Sequence, residues 1–313
     1  MTRAFLFPGQ GSQAVGMGRE LAAAFAPARR VFEEVDEALK QNLSRLMFEG
    51  PEAELTLTEN AQPALMAVSL AVVRTLEHEG GLDLARQAAF VAGHSLGEYS
   101  ALAAAGTFAL ADAARLLKTR GRAMQDAVPV GVGAMAALLG LDLAAARAAA
   151  AEAAQGEVCD AANDNAPGQV VVSGHKTAVE RAVAIAKTKG AKRALLLPVS
   201  APFHCSLMAP AAEVMVKALA EVRMHAPAVP VVANVTARPA SEIGEIRLRL
   251  AEQVTGMVRW RESVEFLREQ GVAQAVELGA GKVLAGLCKR IAPEISASGV
   301  GAPAEVEAFL RTL

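Results

Sequence analysis

A serine between two glycines is the residue of this 313-residue chain best suited to nucleophilic chemistry. Residues 93–97 (GHSLG) have the G-x-S-x-G pattern and lie between a predicted strand, 88–92, and a predicted helix, 98–105. Ser95 would then lie on a sharp turn with its Oγ exposed, and the Leu96 N–H at the helix start would face a developing oxyanion. The alternative is a serine that caps the helix, with glycines that serve packing.

A serine hydroxyl is a weak nucleophile without a base, and the chain has five histidines. His204 follows a predicted strand, in a position where loops of α/β sheets often contribute catalytic groups. We therefore interpret His204 as the general base. His94 adjoins Ser95, but neighbouring side chains diverge at such a turn. A histidine with only a structural role is the alternative at position 204.

The segment 8–13 (PGQGSQ) follows a predicted strand, 4–7, and has three interpretations. The backbone N–H of Gln10 could form the second half of an oxyanion hole. A phosphate-binding loop would need the Gly-Lys-Ser/Thr ending, which this segment lacks. The third interpretation is a simple tight turn.

An arginine lies on the apolar face of a predicted helix, 110–128. Arg120 is four residues after Leu116 and four before Met124, so these side chains share one face. A guanidinium on an inward face is costly unless an anion or several acceptors meet it. It could bind a substrate carboxylate through two hydrogen bonds, or it could snorkel to solvent or pair with an internal carboxylate.

Composition excludes several classes of protein. A chain that is 53% hydrophobic and 20% charged is not disordered. Its net charge of −2 and its aromatic content of 4% argue against a nucleic-acid partner. The longest nearly apolar run, 128–141, is too short to span a membrane, and the first residues do not resemble a signal peptide.

The cysteines indicate the compartment. Cys159, Cys205 and Cys288 are far apart and odd in number, which fits neither a metal site nor a disulfide framework. We expect reduced, buried thiols, a cytoplasmic location and no bound metal.

Alternating strands and helices predict an α/β fold with a mainly parallel sheet. The middle of the chain approximates βαβαβ, which is close to a ferredoxin-like module. We predict a discontinuous large domain, 1–129 and 199–313, and an inserted small domain, 130–198. The remaining predicted helices are 19–40, 62–79, 143–154 and 177–189, and the remaining predicted strands are 133–140, 169–173, 194–199, 229–233 and 275–278.

In this order, the segments resemble the malonyl-CoA:acyl-carrier-protein transacylases, of the acyltransferase family used in fatty acid and polyketide synthesis. The resemblance covers nearly the whole chain. It rests on the segments 7–13, 93–99, 120–125, 163–174, 204–205, 253–260 and 277–284. Met257 and Ala280 stand where the family often has proline, which affects loop stiffness more than chemistry.

The resemblance implies an α/β-hydrolase-like large domain, a ferredoxin-like small domain and a substrate cleft between them. It implies Ser95 as nucleophile, His204 as base and acid, and Arg120 as the group that binds the malonyl carboxylate. The other implied site residues are Gln10 and Leu96 as oxyanion N–H donors, the Gln253 main-chain carbonyl that orients His204, Gln62 and Asn163 in the site lining, and Phe203, which leaves less room for methylmalonyl.

The implied reaction is transfer of malonyl from malonyl-CoA to the phosphopantetheine thiol of acyl carrier protein, through a malonyl-serine intermediate, for fatty acid synthesis. We expect no permanently bound cofactor, no nucleic-acid or membrane partner, and a monomer. A serine thioesterase or other hydrolase with the same Ser–His pair, a stand-alone polyketide acyltransferase and a catalytically silent docking module are the alternatives.

Overall fold

The computed structural model describes residues 2–313, which form two β-sheets surrounded by helices. The strands among these residues are β1 (Arg3–Phe7), β2 (Phe90–Gly93), β3 (Gly133–Leu139), β4 (Cys159–Ala166), β5 (Gln169–His175), β6 (Arg193–Leu196), β7 (Val231–Ala233), β8 (Arg238–Ala240), β9 (Gln274–Leu278) and β10 (Ser296–Val300).

The helices of the same residues are α1 (Arg19–Ala24), α2 (Ala26–Leu39), α3 (Leu43–Glu49), α4 (Glu52–Thr56), α5 (Thr58–Gly80), α6 (Leu84–Gln87), α7 (Leu96–Ala104), α8 (Leu110–Asp126), α9 (Leu143–Ala154), α10 (Lys176–Thr188), α11 (Ala209–Glu221), α12 (Ile243–Gln253), α13 (Trp260–Glu269), α14 (Val283–Ile291) and α15 (Pro303–Leu310). A 3₁₀ turn, Ser206–Met208, precedes α11.

The larger sheet has six strands in the order β10-β9-β1-β2-β7-β8. All neighbouring pairs are parallel except β7 and β8. The central strand β1 (RAFLF) is almost wholly buried, as expected when helices cover both faces of a parallel sheet. The prediction of an α/β fold with a mainly parallel sheet is confirmed.

The smaller sheet is antiparallel, in the order β4-β5-β3-β6, with α9 and α10 packed on one face. A parallel bridge between Asn163 of β4 and Val258 connects it to the rest of the molecule. Arg261 adds an ion pair with Asp164 of β4, at 2.8 Å. The two sheet regions are therefore joined on the side where β4 lies.

The structure corrects two sequence predictions. The helix predicted over 19–40 is two helices, α1 and α2, and Phe25 between them is extended. Pro27 lies in the first turn of α2, where a proline is tolerated, whereas inside a continuous helix it would remove a hydrogen bond and clash with the preceding turn. The middle region also has a strand, β4, that was not predicted. Its sequence (CDAANDNA) lacks the β-branched residues typical of strands.

Two further observations bear on the expected class of protein. None of the helices within residues 2–313 has the length and apolarity that crossing a membrane requires. The three cysteines are buried and unpaired, as predicted.

Candidate active site

Ser95 lies on a strained turn between β2 and α7. Its φ of 53° and ψ of −110° lie in a region that residues other than glycine rarely adopt. The flanking glycines are required because a Cβ at Gly93 would lie 1.9 Å from the Gly97 carbonyl oxygen, and one at Gly97 would lie 2.2 Å from that of Phe7. The turn therefore has the geometry that the G-x-S-x-G pattern predicts.

His204 contacts the serine directly. Ser95 Oγ lies 2.7 Å from His204 Nε2, and His204 Nδ1 lies 2.9 Å from the main-chain oxygen of Gln253. A carbonyl oxygen only accepts, so Nδ1 has the proton and Nε2 is free to accept the serine proton. Ser95, His204 and the Gln253 carbonyl are thus within hydrogen-bond distance of one another in the predicted order.

The imidazole of His204 is buried, with 4% of the residue exposed. Burial, and the nearby positive charge of Arg120, lower the pKa of His204 to about 3. The ring is therefore neutral at pH 7, which is the state a general base needs before the reaction.

Arg120 is 1% exposed and is surrounded by neutral acceptors. Nη1 donates to Gln62 Oε1 at 2.7 Å, and Nη2 donates to Gln253 Oε1 at 2.8 Å and to Ser95 Oγ at 3.1 Å. Among the residues described, no carboxylate forms an ion pair with it, and its Nε has no hydrogen-bond partner. Of the alternatives, snorkelling and a direct internal ion pair are therefore absent, and a buried cation lies beside the serine hydroxyl.

A cavity of about 670 Å³ opens at Ser95. Its lining includes eight of the nine predicted site residues, namely Gln10, Gln62, Ser95, Leu96, Arg120, Asn163, Phe203 and His204. The ninth, Gln253, lies behind the wall and contacts the site through its hydrogen bonds. The sequence prediction therefore brought together residues that share one cavity.

The two predicted oxyanion donors lie at the ends of neighbouring parallel strands. Gln10 follows β1, and its side chain accepts a hydrogen bond from Thr58 Oγ1 at 2.9 Å, which fixes the loop. Leu96 is the first residue of α7, where N–H groups have no acceptor within the helix. Both residues line the cavity.

A set of buried polar residues behind Ser95 was not predicted from the sequence. Asn234 Oδ1 accepts the backbone N–H of Ser95 at 2.7 Å, and Asn234 Nδ2 donates to the Gly93 oxygen at 2.7 Å. The Glu98 carboxylate, 1% exposed, accepts from Gln253 Nε2 at 2.7 Å and from the Asn234 N–H at 3.1 Å. The available signal was that Asn234 directly follows the strand parallel to β2.

His94 also lines the cavity, but its side chain diverges from that of Ser95, as the sequence predicted. Its Nε2 lies 2.8 Å from Asn165 Oδ1, and its ring lies against Trp260. Burial lowers the pKa of His94, so it is neutral as well. Within residues 2–313, no group of three or more His, Cys, Asp or Glu side chains is arranged to hold a metal ion.

The family model described as the acyl transferase domain matches residues 4–298. This chain belongs to that acyltransferase family. The acyltransferase is 48% identical over 307 residues to the malonyl CoA-acyl carrier protein transacylase of Salmonella typhimurium, with 98% of each chain covered.

Solved structures agree with this assignment. An acyl-carrier-protein-S-malonyltransferase from Bartonella henselae is 56% identical to the acyltransferase, with a TM-score of 0.97 and coverage of 100% of this chain and 99% of that one. A malonyl-transacylase in complex with its type II PKS acyl-carrier protein is 45% identical, with a TM-score of 0.96 and coverage of 100% of both chains.

Proposed function

We propose that this acyltransferase moves a malonyl group from malonyl-CoA to the phosphopantetheine thiol of acyl carrier protein, and so supplies malonyl-carrier protein for fatty acid synthesis. The observation that carries the proposal is the buried Arg120, whose Nη2 is 3.1 Å from Ser95 Oγ. In malonyl-CoA, one methylene separates the carboxylate from the thioester carbonyl. When a nucleophile attacks that carbonyl, the carboxylate therefore lies within a few ångströms of the nucleophile. A cation that binds the carboxylate must lie equally close, and Arg120 does.

The first half-reaction acylates the enzyme. His204 Nε2 takes the proton of Ser95 as Oγ attacks the thioester carbonyl, and the N–H groups of Gln10 and Leu96 stabilise the oxyanion. The tetrahedral intermediate then collapses, the C–S bond breaks, and the imidazolium returns its proton to the CoA thiolate. The product is malonyl-Ser95.

The second half-reaction reverses these steps with a different thiol. The phosphopantetheine thiol of the carrier protein gives its proton to His204 and attacks malonyl-Ser95, and the new thioester forms as Oγ regains a proton. The reaction is ping-pong, since CoA leaves before the carrier thiol attacks. The enzyme needs no permanently bound cofactor for these steps.

Arg120 binds the malonyl carboxylate and takes no proton. The guanidinium contacts Gln62, Gln253 and Ser95, which are all neutral, so that its charge is available to an anionic substrate. Phe203 and Asn163 line the same cavity, and the Phe203 ring would limit room for an α-methyl branch.

The finer description of the fold is part of the same proposal. We propose an α/β-hydrolase-like large domain, 1–129 and 199–313, and a ferredoxin-like small domain, 130–198. The turn at Ser95 after a parallel strand supports the first assignment, and the antiparallel order β4-β5-β3-β6 with two helices on one face supports the second. A monomeric state, a cytoplasmic location and the absence of nucleic-acid or membrane partners stay predictions.

One observation favours a second pathway. The malonyl-transacylase solved with its carrier protein has a type II PKS partner. A polyketide carrier protein is therefore the alternative acceptor for this chain, with the same chemistry at Ser95. A thioesterase would use the same Ser–His pair and differs only in the acceptor, which is water.

Intact-protein mass spectrometry tests the proposal. The protein is mixed with malonyl-CoA, its acyl adduct is measured, and fatty-acid or polyketide holo-carrier protein is then added while malonyl-carrier protein and free malonate are counted. We expect one malonyl adduct that moves to carrier protein, and no adduct on Ser95→Ala. Free malonate as the main product would make the protein a thioesterase, and no adduct on the wild type would refute acyl transfer.

Ser100→Ala is the matched control. Ser100 is buried in the same helix, and its hydroxyl has no hydrogen-bond partner among the described residues. This variant should form the adduct as the wild type does, which would show that loss of the adduct in Ser95→Ala reflects the hydroxyl and not damage to α7.

A further inference from the structure

The buried carboxylate of Glu98 has no part in the steps described above. Glu98 lies in the first turn of α7, three residues after Ser95, and is 1% exposed. Within the described residues it forms no ion pair; its Oε2 accepts from the Gln253 side chain and the Asn234 backbone instead. An unpaired buried charge is costly, so its retention next to the nucleophile calls for an explanation.

Gln253 connects this carboxylate to the Arg120 guanidinium and to the His204 ring. Its Nε2 donates to Glu98 Oε2 at 2.7 Å, and its Oε1 accepts from Arg120 Nη2 at 2.8 Å. Its main-chain oxygen accepts from His204 Nδ1 at 2.9 Å. A single residue, Gln253, therefore bridges Glu98 to Arg120 and to the imidazole through hydrogen bonds.

Proton transfer creates a charge problem in this arrangement. When His204 accepts the serine proton, an imidazolium forms in a buried site close to Arg120, and its orienting group is a neutral carbonyl. In many serine–histidine sites a carboxylate bonded to the ring stabilises that cation. Here the ring has no such partner, but a carboxylate lies one residue further away.

We propose that Glu98 is a positioning residue that stabilises the His204 imidazolium through Gln253. The inference rests on the proposed acyl transfer, since it assigns a role in the same proton movement. The proton passes from Ser95 Oγ to His204 Nε2 as the Oγ–C bond forms, and from His204 to the leaving thiolate as the C–S bond breaks. Glu98 stays ionised throughout and accepts no proton.

The ionisation of Glu98 provides a readout. Burial raises the pKa of Glu98 to about 7. The hydrogen bonds from Gln253 and Asn234 and the charge of Arg120 lower this pKa, but burial has the larger effect. The other titratable groups around the site keep one state near neutral pH. Arg120 on α8 stays charged, Tyr99 on α7 stays neutral because burial raises its pKa, and burial keeps His94 and His204 neutral. Glu98 therefore changes charge where the others do not, and its active form is the one present above the pKa.

The test is the rate of Ser95 acylation by malonyl-CoA, measured by rapid quench between about pH 5.5 and pH 9. For the wild type we expect a rate that rises through about pH 7 and then levels off. Glu98→Gln keeps the shape and an acceptor oxygen but removes the charge. It should be about tenfold slower than the wild type above pH 8 and should lose the rise near pH 7.

Glu277→Gln is the matched control. Glu277 is also fully buried, accepts a backbone N–H from Ala285 at 2.8 Å, and does not line the cavity. It should keep the wild-type rise, which would show that loss of the rise in Glu98→Gln is specific to that carboxylate and is not a general effect of removing a buried one.

Three outcomes would overturn the inference. One is a wild-type rate that does not change across pH 7, which is decisive even if Glu98→Gln does not fold. The second is a Glu98→Gln profile equal to that of the wild type, and the third is the same loss in Glu277→Gln. In each case malonyl-Ser95 still forms on the wild type, so the proposed function stands; absence of the adduct refutes the proposed function instead.

Discussion

The two sheets contribute different kinds of residue to one cavity. At one edge of the six-stranded sheet, the segments that follow three neighbouring parallel strands contain Gln10, Ser95 and Asn234. The four-stranded sheet contributes Met135, Asn163, Asn165 and Val171 to the cavity, of which none is titratable. Ser95 and Arg120 therefore come from the parallel sheet and its helices, His204 comes from the segment after β6, and the strands of the antiparallel sheet themselves form a wall.

The difference follows from how the two kinds of sheet end. Parallel strands have their carboxyl ends at the same edge, so the loops after them bring polar groups and helix N-termini together. An antiparallel sheet presents a face on which alternate side chains point to the same side. Such a face can set the shape of a binding site without supplying its chemistry. Substitutions in the two regions should accordingly change different measured quantities.

The largest effect is expected at His204. His204→Ala removes the acceptor of the serine proton and should slow acylation by malonyl-CoA by about 10³-fold, as for loss of a general base. Rapid-quench measurement of the malonyl adduct checks this. His78→Ala is the control, because His78 is exposed and bonds only to Glu79. A near-normal acylation rate in His204→Ala would place the base elsewhere.

The second-largest effect is expected at Arg120, whose charge should favour malonyl-CoA over acetyl-CoA. Arg120→Ala should reduce acylation from malonyl-CoA by about 10²-fold, because it leaves the substrate carboxylate without its cation. Transfer from acetyl-CoA, which has no carboxylate, should fall much less. Arg122→Ala provides the comparison on the same helix, since Arg122 pairs with Glu59 at the surface. Equal losses for both substrates would contradict a carboxylate-binding role.

The smallest effect is expected on the wall. Met135→Ala enlarges the cavity on β3, and it should raise the preference for methylmalonyl-CoA over malonyl-CoA by up to about tenfold, since one methyl group is worth about 1–3 kcal/mol. Competition between the two substrates gives the ratio. The malonyl rate itself should change little. If Met135→Ala reduced the malonyl acylation rate as much as Arg120→Ala does, the antiparallel sheet would not be limited to shaping the cavity.

Leu138→Ala separates shape from stability in that experiment. Leu138 is on the same strand, but it packs into the core between the small sheet and its helices and does not line the cavity. It should lower the melting temperature without a change in the substrate ratio. A similar shift in the ratio would mean that loosening of the strand, not space at Met135, determines the preference.

The sequence was most informative where backbone geometry restricts residue type. The turn at Ser95 tolerates no Cβ at position 93 or 97, so its glycines leave a recognisable pattern. Arg120 was found because its spacing places a charge among apolar residues, although spacing alone did not determine what it meets. Its partners are the side chains of Gln62 and Gln253, which come from distant parts of the chain.

The network behind Ser95 was not predictable in the same way. Asn234 and Glu98 act through hydrogen bonds to residues more than a hundred positions away, and neither has a local spacing that distinguishes it from a surface residue. Likewise β4 pairs with β5 although its residues favour turns, because tertiary pairing outweighs weak local preference. The missed features thus depend on contacts that form only in the folded chain.

The route by which His204 reaches the serine has a consequence for engineering. The chain leaves the edge strand β6 at Leu196, passes along the cavity at Leu197, Pro198 and Val199, and arrives at His204 with a positive φ of 58°. Chimaeras that exchange the whole four-stranded sheet between relatives would thus also replace strand β6, from which the segment that positions His204 begins. To alter acyl preference and keep turnover, the C-terminal junction of the exchanged segment should precede β6. The recipient enzyme then keeps its own β6 and its own segment up to His204.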